Sequence, residues 1–104
     1  MNEKEIIQNI KKSVKKTDPT AEVYLFGSRA KGNPHEQSDW DILILVDRLK
    51  ITNEIEDRIR DGLYPIELES GQIISAFLYP KKYWETELKF SPLYKTISEE
   101  GIQL

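Results

Sequence analysis

The chain has 104 residues, 38% hydrophobic and 10% aromatic, with a formal net charge of −3 and no cysteine. That suits one folded domain, residues 1–104, with a modest core, and excludes a disordered segment, a disulfide framework and a thiolate metal site. No basic face stands out to bind nucleic acid, no apolar stretch approaches the ~20 residues that span a membrane, and the missing thiols suit a reducing, cytoplasmic setting.

Asn2 and Glu5 have the spacing of a capping box, and Ile6, Ile7, Ile10 and Val14 follow at helical intervals. They predict a first helix that stops at Thr17–Thr20, where Pro19 disfavours a helical residue before it. The lysines between them read as a solvated face, and the absence of a continuous apolar run argues against a signal peptide. Ala21–Phe26 reads as a short strand ended by Gly27, and Ser28–Gly32 as one helical turn. Asn33–Ser38 is a loop containing the only histidine, His35, read as an exposed residue. Asp39–Asp47 is the strongest strand, a near-continuous apolar run of the kind buried on both faces. Asn53 and Glu56 open a second helix lined by Ile51, Ile55, Ile59 and Leu63, with Gly62 as its stop. Tyr64–Ser70 and Ile73–Tyr79 read as two strands of a hairpin turning at Gly71. Pro80 opens a helix in which Tyr83 and Trp84 are packing residues, and a last short helix ends at Gly101. The fold class is α/β (α+β): a mixed sheet of about four strands with helices packed on one face and a site on the other.

Side chains alternate along a strand, so Asp39 and Asp41 share a face and Trp40 takes the other, core side. Two adjacent carboxylates repel each other, and a divalent cation relieves the repulsion; their hard oxygens suit Mg²⁺, or Mn²⁺, with phosphates and water completing the shell. Gly27 lets the backbone approach a ligand closely, while the first amides of the turn and the Ser28 hydroxyl offer an anion site. Arg29 and Lys31 add positive charge nearby and are counted with Ser38 as nucleotide-binding residues, the plainer role of Ser38 being to brace the loop before Asp39.

The run "GSRAKG" followed by "SDWD" resembles the signature of the DNA polymerase β-type nucleotidyltransferase superfamily, and the chain looks like its minimal nucleotidyltransferase (MNT) domains. The motif covers Leu25–Asp47, with weaker support from the closing "ISEEGI". The resemblance implies a mixed sheet backed by helices, phosphate binding at Gly27 and Ser28, and metal binding at Asp39 and Asp41. It also implies attack of a hydroxyl on the α-phosphate of a nucleoside triphosphate, ATP favoured, releasing pyrophosphate. Small proteins of this kind resemble antitoxins that adenylylate a HEPN-type toxin, so a protein acceptor is expected; a chain this short leaves room for a partner or a second copy to complete the site. A nucleic-acid polymerase is disfavoured, since there is no template grip.

One departure is visible. Family members carry a third carboxylate on a later strand, and the matching stretch here, "SAFLYPKKYW", puts Ser75 at that position. If Ser70–Gln72 is a three-residue hairpin loop, Glu67 lies opposite Ser75 and becomes the expected third acid, with Glu69 second. A solvent-facing role for both is the plainer reading. The competing function is a binding module that keeps the fold and acts by contact with a partner without efficient catalysis.

Overall fold

The computed structural model describes residues 1–32 and 39–104. Helix α1 (Glu3–Thr17) begins where Asn2 Oδ1 accepts the Glu5 amide at 2.8 Å, satisfying one of its free N-terminal donors. Its inner stripe, Ile6, Ile10 and Val14, is buried. Strand β1 (Glu22–Phe26) leads into a 3-10 turn at Gly27–Arg29, and β2 (Trp40–Val46) returns antiparallel to it. Helix α2 (Asn53–Ser70) then crosses over to β3 (Ile74–Pro80), which runs parallel to β2, as a crossover connection requires. Helices α3 (Lys81–Thr86) and α4 (Pro92–Glu100) follow, and β4 (Ile102–Gln103) closes the sheet in the order β3-β2-β1-β4.

This is the expected mixed α/β class. Trp40, Ile42, Ile44 and Val46 face α1 and α2 and pack with Val23, Leu25, Ile59, Leu63 and Ile66. The alternate residues Leu43 and Leu45 join Phe26 on the opposite face, where Trp84 of α3 and Ile97 of α4 lie over them. Trp84 stacks between Tyr79 and Tyr94, the packing role read for it from sequence. Burial on both sides explains the unbroken apolar run of β2. The run is interrupted by Asp41, with Asp39 just before it, at the end of the sheet where β2 begins.

The expected hairpin does not form. Residues Tyr64–Ser70 are the last turns of α2, and the fourth strand is Ile102–Gln103. Gly62 does not stop the helix: a side chain there would run into the Ser13 hydroxyl, so glycine serves close packing of α2 on α1. Pro65 removes one backbone hydrogen bond, yet the helix continues. An interior proline costs about 3 kcal/mol and a glycine about 1 kcal/mol. Burial of Ile59, Leu63 and Ile66, at roughly 1.5–3 kcal/mol each, outweighs both. In the helix Leu68 is 66% exposed, although alternation in a strand over Tyr64–Ser70 would put it on the same face as Ile66. Gly71 ends the helix with φ +69°, its amide donating to Glu67 O at 2.9 Å.

This moves Glu67. It does not lie opposite Ser75 on a neighbouring strand; its Oε2 accepts the Ile74 amide at 2.9 Å. Strand β3 is an edge strand, and Trp40 N donates to Ile73 O, so the backbone groups of Ile74 and Ala76 point outward, away from β2. Arg60 Nη1 donates to Ala76 O at 3.3 Å. Two side chains of α2 thus occupy groups of an edge that would otherwise be open to pairing. Among the described residues, no helix is long and apolar enough to cross a membrane.

Candidate active site

One row of the sheet, at the end where β1 finishes and β2 and β3 begin, holds the site. Asp41 pairs with Phe26 of β1 on one side and Ser75 of β3 on the other, so the three side chains share a face. Asp39 stands just before β2. The Ser75 hydroxyl donates to Asp39 Oδ2 at 3.2 Å, which brings Asp39, Asp41 and Ser75 together.

Gly27 covers this row. Its φ of +77° lies in the left-handed region, and a Cβ built there would overlap Asp41 Oδ2. Conformation and space both require glycine at this point. Phe26 is extended as the chain enters the turn, and Gly27 O then accepts the amides of Ala30 and Lys31, each at 3.1 Å. Ser28 is the next residue, and among the described residues its hydroxyl has no hydrogen-bond partner.

Burial, and then the charge of Asp39, hold the Asp41 carboxyl above its ordinary pKa. Among the described residues neither acid forms an ion pair, and no third His, Cys, Asp or Glu joins them in a metal-binding cluster. Two crowded, unpaired carboxylates are a donor set that a divalent cation fits, with phosphate oxygens and water filling the remaining positions.

The other sequence-derived candidates fall elsewhere. Arg29 turns to the α1 side: its side chain is 6% exposed, its Nη1 donates to Glu3 Oε1 at 3.1 Å and Nη2 to Gln72 Oε1 at 2.9 Å, and its guanidinium sits 4.7 Å from the centre of the Trp40 ring. Lys31 Nζ pairs with Glu100 Oε2 of α4 at 3.1 Å, in the open. Glu67 is at the outer edge of β3 on the α2 side, while Asp41 and Ser75 face away from α2. Glu69 lines a cleft between α1 and α2. Ser38 and His35 lie outside the described residues.

Two features were not read from sequence. Gln72 accepts from both Arg29 and Trp40 Nε1, locking the turn after Gly27 to the start of β2. Ser75 was noted as a missing acid, and its bond to Asp39 was not foreseen. A glutamine in a loop carries no spacing signal, and a serine contact 36 residues away along the chain carries none either.

Gly27, Asp39, Asp41 and Ser75 thus meet at one end of a four-stranded mixed sheet. The chain belongs to the nucleotidyltransferase domain family, whose model matches residues 7–102. No curated protein matches the chain. Among solved structures, it is similar to a toxin-antitoxin crystal structure with AMP-PNP, at 21% identity and a TM-score of 0.61, covering 99% of this chain and 72% of that one. It is also similar to a mutant of the toxin-antitoxin MntA-HpeT, at 18% identity and a TM-score of 0.62, covering 99% and 72%. A second MntA-HpeT mutant has 21% identity and a TM-score of 0.60, covering 100% and 72%. At these identities the likeness is one of fold.

Proposed function

We propose that the protein is a metal-dependent nucleotidyltransferase that moves AMP from ATP to a hydroxyl of a partner protein, a HEPN-type toxin being the favoured partner. The observation that carries this is the fit of Gly27 over Asp41, with Asp39 alongside and Ser28 opening the turn. Without a side chain on Gly27 the turn lies directly against Asp41, which supports a phosphate held by that turn beside the pair of acids. The nucleotide in one neighbouring structure and the toxin-antitoxin pairing of all three agree with the reading.

In this mechanism Ser28 and the amides at the start of the turn hold the triphosphate, and Gly27 admits it to the row of Asp41. Asp39 and Asp41 would hold Mg²⁺ or Mn²⁺, whose charge would offset that of the triphosphate. The acceptor oxygen forms a bond to the α-phosphorus as the bond from that phosphorus to the pyrophosphate oxygen breaks, and the acceptor's hydroxyl proton passes to water. Arg29, held by Glu3, Gln72 and Trp40, keeps the turn in place.

The second reading, a module that binds its partner without efficient transfer, is favoured by Ser75 where relatives carry an acid. Incubation with α-labelled ATP, Mg²⁺ and a candidate partner separates the two. Label that passes to the partner and vanishes in Asp41→Asn supports the enzyme. Tight partner binding that survives Asp39→Asn and Asp41→Asn, with no label moved, supports the module.

A further inference from the structure

Among the described residues, Ser75 is the polar side chain that the sheet register sets directly beside Asp41. It pairs with Asp41 across the parallel β2–β3 ladder, yet its hydroxyl donates to Asp39, which lies before the strand and has no ladder of its own to hold it. The bond engages Asp39 Oδ2, leaving Oδ1 for a ligand. Chemically, a hydroxyl here does two things that a carboxylate cannot. It donates, so it orients a neighbouring acid by attraction, and it is neutral, so the row carries two negative charges and not three. Fewer anionic donors hold fewer cations, and a held carboxylate loses less rotational freedom when it takes one.

We propose that Ser75 is a positioning residue that fixes the Asp39 carboxylate and makes this a centre for a single divalent cation. The inference rests on the cation-binding reading given above. Ser75 touches no reacting atom in it; it acts through Asp39.

The test is a titration of the full chain with Mn²⁺ alone, following free Mn²⁺ by electron paramagnetic resonance, with melting temperature recorded for each variant. The wild type takes up one ion per chain. Ser75→Ala weakens that affinity about 10–100-fold with little change in melting temperature, the scale of losing a partner that orients a metal ligand. Ser75→Thr, which keeps the hydroxyl, restores it. Ser75→Asp takes up a second ion. Equal affinity in wild type and Ser75→Ala, failure of Ser75→Thr to rescue, or a single ion in Ser75→Asp overturns the proposal while leaving the cation site standing. No Mn²⁺ uptake by the wild type removes the cation site and this inference together.

Discussion

Two aspartates, Asp18 and Asp41, are drawn into the protein, and they live under opposite conditions. Asp18 follows the last turn of α1 and is 2% exposed. Its Oδ1 accepts from the Thr20 amide at 2.9 Å and the Thr20 hydroxyl at 2.6 Å, and its Oδ2 pairs with Arg48 Nε at 2.7 Å. Burial raises its pKa, but the Thr20 and Arg48 bonds outweigh burial and hold the carboxyl below its ordinary 3.8. Asp41 has burial and a like charge beside it, and no donor among the described residues; its pKa is raised. The difference teaches that donors decide whether a buried charge is welcome: Asp18 has them, and Asp41 is left in want of a positive partner, as an acid proposed to hold a cation would be.

The largest effect is expected where the wanting carboxylate loses its charge. Asp41→Asn should reduce nucleotidyl transfer at least about 100-fold, because a cation then loses an anionic ligand. The same change should raise folding stability by about 0.5–1 kcal/mol, since a poorly solvated charge disappears. Chemical denaturation without added metal measures the second half; a clear loss of stability would show that Asp41 is satisfied after all and break the contrast with Asp18. Gly27→Ala attacks the same contact from the other side. It forces a Cβ toward Asp41 Oδ2 at a φ of +77°, so a destabilisation of about 2–3 kcal/mol is expected, with transfer lost. Wild-type stability in that variant would mean that the turn can give way and that the close approach is incidental.

At the satisfied carboxylate the order reverses. Asp18→Ala should cost about 2 kcal/mol of stability, less than a fully buried pair because Arg48 is 43% exposed, and should leave transfer intact in the folded fraction. The acid dependence follows from the sign of the shift. A carboxyl with a lowered folded pKa contributes stability above its unfolded value near 4 and loses that contribution as pH falls through the folded one. The wild type should therefore lose stability below about pH 4 more steeply than Asp18→Asn. Parallel acid-unfolding curves for the two proteins would refute the donor network.

Part of this was legible in the chain. The one-residue spacing of Asp39 and Asp41 forces a shared face in any strand, and a glycine between an apolar strand and a serine is a local signal; the structure brings these residues together. Local signals misled at α2. Gly62 reads as a helix stop, because its real setting, the Ser13 hydroxyl on α1, belongs to another part of the chain. The alternation of Ile66 and Leu68 fits a strand, whereas Ile59, Leu63 and Ile66 have helical spacing, and burial of the second set against α1 and the sheet decides it. Asp18 read as a turn residue for the same reason: its partner Arg48 is 30 positions away. Arg29 was placed with the phosphates by sequence neighbourhood, whereas its partners Glu3 and Gln72 lie 26 and 43 residues off.

Glu67 offers the finest test of the contrast, because it is a third carboxylate and the structure gives it a donor, the Ile74 amide. By the rule drawn from Asp18 it belongs with the acids that serve the fold. Glu67→Gln keeps an accepting oxygen for that amide and removes only the charge, so stability should change by less than about 0.5 kcal/mol and transfer should not change. Glu67→Ala strips the acceptor from the edge of β3, and a loss of about 1 kcal/mol is expected. A substantial fall in transfer in Glu67→Gln, with stability unaltered, would place its charge in the reaction and return it to the role that strand geometry first suggested.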